Sequence, residues 1–149
     1  MRIGNPRLIL DPYEWLPSYG ESKVSFRSNG VDAILDIEYE KDTPGIDGFD
    51  FIRKMRRGIV FKYARLFIRT PFPGSSLFEF HGDSSKFNLG ELTEFVDSEL
   101  IDSDKDARYL ALTSEILKMR HFSIQFLAEN VAFHVLAESV FLTDEVLIS

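Results

Sequence analysis

The sequence predicts an α+β domain dominated by antiparallel strands, with one or two helices between residues 88 and 119 packed on the sheet. Three observations carry that reading. Asn29-Gly30 stands between two alternating stretches, as in a two-residue hairpin turn. Fourteen Phe residues suit a core of aromatic side chains on strands, since each buried ring removes a large apolar area from water. Finally, the apolar period approaches that of a helix only between residues 85 and 119.

Taken in order, residues 7–20 hold Pro12, Pro17, Gly20 and the single Trp15, and predict a loop or a short helical turn. Folding about Asn29-Gly30 sets Val24 opposite Leu35 and Phe26 opposite Ala33, with Lys23 facing Asp36 and Arg27 facing Asp32 on the other side. That register yields one apolar face and two opposite-charge pairs. The second strand runs from Val31 to Tyr39, and Lys41–Gly48, with Pro44, Gly45 and Gly48, reads as a loop. Gly58–Thr70 reads as one central strand covered on both sides, followed by a short strand Ser76–His81.

Asn88 and Glu91 resemble a capping pair for a helix carrying Leu92, Phe95 and Val96. Ser103 and Asp106 mark a second start, with Tyr109, Leu112, Ile116 and Met119 on one stripe and Asp104 and Asp106 in the first turn. A final hairpin about Glu129-Asn130 sets Phe122 against Ala137, Ile124 against Val135 and Phe126 against Phe133. Its reverse side pairs His121 with Glu138 and Gln125 with His134. The predicted core is Val24, Phe26, Leu35, Ile37, Phe61, Phe67, Ile124, Phe126, Phe133 and Val135.

At 149 residues, one domain spanning 1–149 is expected. The absence of cysteine excludes disulfides, thiolate catalysis and cysteine metal sites. The first residues lack the apolar stretch of a secretory signal, and no run reaches the roughly 18 apolar residues of a membrane span. The expectation is a cytoplasmic protein with no membrane partner.

Net charge is −7, unevenly placed. Seven basic residues and no acidic one lie between Arg53 and Arg69, so the rest of the chain carries −14.

The search for chemistry returns no catalytic residue, cofactor or metal site. Asp102, Asp104 and Asp106 match the first oxygen positions of a calcium loop, but Ala107 and Thr113 stand where the turn glycine and the bidentate glutamate belong. His121 beside Glu138 would favour the charged imidazole and could orient a general base. No nucleophile elbow or Gly-rich oxyanion loop accompanies it. Glu38, Glu40 and Glu79 could form an acid/base pair only if their strands met at one cleft.

Two charged clusters remain as partner-binding candidates. The basic one is Arg53, Lys54, Arg56 and Arg57. Phosphate contact there is opposed by the acidic remainder, which disfavours nucleic acid, and pairing with the acidic strand Asp32–Glu40 is the plainer reading. The acidic one is Asp97, Glu99, Asp102, Asp104 and Asp106, a field suited to capturing a basic partner.

The stretches Leu92-Thr-Glu-Phe-Val-Asp-Ser-Glu-Leu100, His121-Phe-Ser-Ile-Gln-Phe126 and His134-Val-Leu-Ala-Glu-Ser139, with the acidity and absence of cysteine, resemble small bacterial immunity proteins that neutralise a cognate toxin. The resemblance covers the C-terminal third and carries over no functional residue. It implies a non-enzymatic protein-binding domain whose partner is a protein, a basic toxin domain being the concrete case. The competing expectation is a ligand-binding or hydrolytic domain using His121 and Glu138 or the strand carboxylates.

Overall fold

A computed structural model describes residues 1–10, 21–71, 78–81, 90–110, 118–126 and 128–148. The first part of the chain supplies β1 (Arg2–Leu10), β2 (Glu21–Asn29), β3 (Asp32–Pro44), β4 (Asp50–Lys62), β5 (Leu66–Pro71) and β6 (Glu79–Phe80). Then come β7 (Leu92–Ser98), the helix α1 (Glu99–Leu110), β8 (Arg120–Phe126), β9 (Val131–Ala137), β10 (Ser139–Leu142) and β11 (Val146–Leu147). The described residues are mostly antiparallel sheet with this single helix.

One sheet has the order β5-β9-β8-β7-β1-β6, in which β6 alone runs parallel to its neighbour. The other has the order β2-β3-β4-β10, with β11 also pairing along β4. The sheets share one core. Leu35, Ile37 and Tyr39 of β3 and Ile59 and Phe61 of β4 pack with Phe122, Ile124 and Phe126 of β8 and Phe133 and Val135 of β9. The Phe61 and Phe122 rings meet at 5.9 Å.

Of the predicted core, Val24 and Phe67 are partly buried against this cluster. Phe26 is the exception at 49% exposure, stacked on Phe67 at 4.2 Å.

Both hairpins form, but each is displaced by two residues from the expected register. Val24 faces Ile37 and Phe26 faces Leu35, so the tip is Gly30-Val31, with Gly30 at φ +62° and Asn29 paired to Asp32. A glycine at the first central position suits a II′ turn, which explains why the Asn-Gly reading missed by one position. Phe122 likewise faces Val135, Ile124 faces Phe133 and Phe126 faces Val131. A two-residue shift preserves which side chains share a face, so the apolar rows survive while the pairs change.

The expected strand Gly58–Thr70 is two strands in different sheets. Tyr63 adopts φ +50°, and the chain crosses between sheets there, held by Tyr63 N–H to Asp32 Oδ1 (3.2 Å), Ala64 N–H to Val31 O (2.8 Å) and Arg65 N–H to Leu136 O (2.8 Å). Residues 7–10 belong to β1 rather than to a loop. Of the expected strand Ser76–His81 only Glu79 and Phe80 form β6, and residues 72–77 lie outside the described set.

The expected helix after Asn88 is the strand β7, buried between β1 and β8, whose Leu92, Thr93, Glu94 and Phe95 are all buried. A strand covered on both faces loses its alternation, so spacing alone imitates a helix. The real helix begins four residues before Ser103. The Ser98 Oγ accepts the Leu100 N–H at 3.2 Å as its N-cap, and Glu99 and Asp102 fill the first turn. Leu112 and Ile116 of the expected stripe fall outside the described residues.

Candidate functional site

The basic cluster is laid against acids of its own sheet. In the β3–β4 register Glu38 stands opposite Arg56 and Glu40 opposite Lys54, on the outer face. Lys62 bonds Asp32 at 2.7 Å on the same face. Arg57 turns to the inner side, donates from Nε to Thr143 O at 3.0 Å and lies 3.8 Å from Glu145. Lys41 bonds Glu145 at 2.9 Å, so these residues close the end of the core beside Tyr39, whose hydroxyl burial pushes up to about 12. The Arg53 guanidinium lies over the Phe51 ring at 4.6 Å.

The acidic cluster is distributed along β7 and α1. Asp97, Glu99, Asp102 and Asp106 are exposed, and Glu99 accepts the Arg2 backbone N–H at 3.0 Å. Asp104 differs, bonding Arg65 at 2.8 Å and tying α1 to the sheet crossing. Since four of these carboxylates ride on one helix, they do not wrap around an ion. Among the described residues no group of three His, Asp or Glu could hold a metal.

The expected pair of His121 with Glu138 does not exist. His121 faces Leu136, and Glu138 lies beyond the β8–β9 ladder with its N–H bonded to Lys62 O at 2.9 Å. The two-residue shift of the β8–β9 register removes the pair, and because both strands are buried on both faces the side opposite the core is a second interior rather than a solvated surface.

That interior holds a continuous hydrogen-bond chain. Ser98 Oγ lies 2.7 Å from His121 Nδ1, and His121 Nε2 lies 2.8 Å from His134 Nδ1. Phe78 packs on both rings and Phe95 on His121. Burial pushes His121 down to about 3, aided by the charge of His134, and burial alone pushes His134 down to about 4.

Both imidazoles are therefore neutral at pH 7, and their tautomers are locked together. Either both carry Nε2–H and the chain runs from Ser98 to His134, or both carry Nδ1–H and it runs the other way. A serine against an imidazole nitrogen is the arrangement of an activated nucleophile. Here, however, Ser98, His121 and His134 are all buried, and the serine oxygen already accepts the helix N-terminal N–H. The arrangement organises α1 against the sheet.

The feature that does face outward lies at the far end of β3 and β4. In the strand ladders residues 41–44 and 50–53 pair only with each other among the described residues, whereas β2 stops at Tyr39 and the backbone bonds of the C-terminal segment end with Ile148 N–H to Lys54 O. The two strands thus continue as a two-stranded arm. Its tip is fixed by Gly45 N–H to Phe49 O (3.0 Å), Gly48 N–H to Gly45 O (3.2 Å) and Phe49 N–H to Asp47 Oδ1 (3.2 Å).

Gly45 is required there, because a Cβ would stand 2.5 Å from Phe49 O, and Gly48 sits at φ +83°. The tip holds Ile46 fully in solvent and Phe49 75% exposed, with Ile52 and Phe51 also exposed behind them. Sequence reasoning took this segment for a loop because Pro44, Gly45 and Gly48 dominate it. The overlooked signal was three apolar residues, Ile46, Phe49 and Phe51, among turn formers.

No family model, curated protein or solved structure matches the chain. Among the described residues no helix is long and apolar enough to cross a membrane.

Proposed function

We propose that this chain is a non-enzymatic protein-binding domain and that the β3–β4 arm is its contact surface. The observation that carries this is the arm tip, where Ile46 and Phe49 are held in water by a backbone fixed through three hydrogen bonds. Exposed apolar side chains on an ordered, projecting element cost solubility, and they bind with little ordering penalty because the conformation is already set. Aromatic anchors of this kind supply most of the energy at a small interface.

The particular form suggested by the resemblance is a cytoplasmic immunity protein that neutralises a basic toxin domain. The net charge of −7 would steer such a partner, and the arm would supply the anchor.

The test replaces Ile46 and Phe49 together with Ser and compares native complexes in extracts of the source cells. The reading expects a complex formed by the wild-type chain to be lost in the variant at unchanged thermal stability. An identical complex in both would refute the arm as the contact. For the immunity form, a toxin gene adjoining this one and growth rescue by co-expression are the expected results.

A further inference from the structure

We infer that the root of the arm forms a small-molecule site for a carboxylate with an apolar body. This goes beyond the contact role given to the arm tip and does not depend on it. The β3–β4 ladder sets opposite charges against each other at Glu38–Arg56 and Glu40–Lys54. One rung breaks the pattern. Lys41 stands directly opposite Arg53, and like charges facing across a ladder repel.

Both residues share the inner face with Tyr39, Met55 and Arg57, since side chains alternate along each strand and directly opposed residues share a face. Three cations there meet one carboxylate. Glu145 bonds Lys41 at 2.9 Å and lies 3.8 Å from Arg57, whereas Arg53 has no acidic partner among the described residues. Asp42 and Asp50 hold outer-face positions in the same ladder.

Arg53 is arranged to take an anion. Its guanidinium lies over the Phe51 ring at 4.6 Å, and a stacked guanidinium directs its donors edgewise, away from the ring. Nε is buried without a hydrogen-bond partner, so no protein acceptor occupies that edge. The side chain itself is only partly buried and lines a cleft of about 320 Å³. Beside it the cleft has the cation of Lys41 and the hydroxyl of Thr43, then the apolar surfaces of Pro44, Met55 and Leu147, with Asp42 completing the lining.

Those features select the ligand. A cleft of this size sits at the small end of ligand sites, and its apolar lining takes a hydrocarbon body. One unpaired guanidinium matches a single negative charge through paired N–H bonds to two oxygens, the geometry of a carboxylate. A phosphate carries roughly −1.5 to −2 near pH 7, more than Arg53 offsets with Asp42 close by.

The test titrates octanoate into the isotope-labelled full chain and follows backbone amides by NMR. Saturable shifts at Thr43, Arg53, Met55 and Leu147 are expected by about 10 mM. Arg53→Gln should weaken binding at least about tenfold, the loss of a charged hydrogen-bonded contact. It should hold its thermal midpoint, because it relieves the opposed pair as it gives up the Phe51 contact. Leu147→Ser trims the apolar lining at a half-exposed position and should weaken octanoate several-fold.

Octanol, with the chain but no charge, and acetate, with the charge but no chain, are expected to give no saturation in this range. No saturable shift with octanoate overturns the inference, as does equal affinity in Arg53→Gln. Octanol binding as tightly as octanoate would reduce the cleft to an apolar patch, and inorganic phosphate binding as tightly would reduce it to an unspecific anion contact. Either result overturns the carboxylate site. All of these readings leave the arm-tip variant and its complex untouched, so the two proposals fail separately.

Discussion

Acidifying the protein from about pH 7.5 to about pH 5 should remove a large part of its stability, through the two buried histidines. Their folded values of about 3 and about 4 lie below the ordinary 6.5. Between those limits the unfolded chain binds protons that the folded chain refuses. The contribution is therefore complete above pH 6.5 and is lost as pH falls toward the folded values. Each pH unit is worth about 1.36 kcal/mol per group. At pH 5 this gives about 2 kcal/mol for each ring and about 4 kcal/mol for the pair, a sizeable share of the 5–15 kcal/mol typical of a domain.

With a urea slope near 2 kcal/mol/M, the midpoint should drop by about 2 M. The carboxylates do not confuse this window. Glu94, lowered chiefly by its hydrogen bonds from Arg120, and Asp32, lowered chiefly by that from Lys62, add stability above their unfolded values of 4.5 and 3.8. That stability is lost only below pH 5. His134→Asn keeps a hydrogen-bond acceptor and should show about half the dependence of the wild type. A midpoint that is flat between these two pH values would refute the buried, neutral histidine chain.

Other consequences are open to measurement. Ser98→Ala removes both the helix cap and the polar partner of His121 and should cost about 2 kcal/mol in urea unfolding. Loss below a few tenths would contradict the role given to this hydroxyl. Glu94→Gln weakens the contacts with Arg7 and the paired bonds from Arg120 at 2.7 and 2.8 Å, and should cost about 2 kcal/mol because Glu94 is buried and Arg120 only partly exposed.

Replacing Asp102, Asp104 and Asp106 together with Asn should cost about 1 kcal/mol, through the Arg65 tie and the helix dipole. If these acids steer a partner, the same change slows association several-fold in stopped flow. Gly45→Ala should distort the arm tip and weaken partner binding while leaving the thermal midpoint nearly unchanged, since the arm contributes little to the core.

What the sequence displayed was the alternation of strands with one solvated face. In β3, Leu35, Ile37 and Tyr39 are fully buried between the partly exposed Asp36, Glu38 and Glu40, as their period demands. Registers were less legible, because a slip of two residues leaves every face unchanged and only the turn geometry at Gly30 decides. The buried strand β7 was hardest, for its run Leu92–Phe95 carries no alternation to distinguish it from helix, whereas β8 and β9 were legible as a hairpin in a shifted register. The Ser98–His121–His134 chain was invisible, since it needs both faces of β8 to be interior and two hairpin registers to be right. The charge clusters announced themselves in composition, yet the basic one proved to be opposed by β3 acids at Glu38 and Glu40.

The arm joins these observations to function. The β3–β4 ladder, twelve register pairs from Ala33–Phe61 to Pro44–Asp50, outlasts its neighbouring strands and carries apolar side chains into water. The most direct test places a photo-reactive amino acid at Phe49 in the source cells, with Asp144, also exposed but distant from the arm in sequence, as the control position. A discrete cross-linked product from position 49, absent from position 144, is the predicted result, and its mass identifies the partner as a second copy or another protein. No product at position 49, or equal products at both, would contradict binding through the arm.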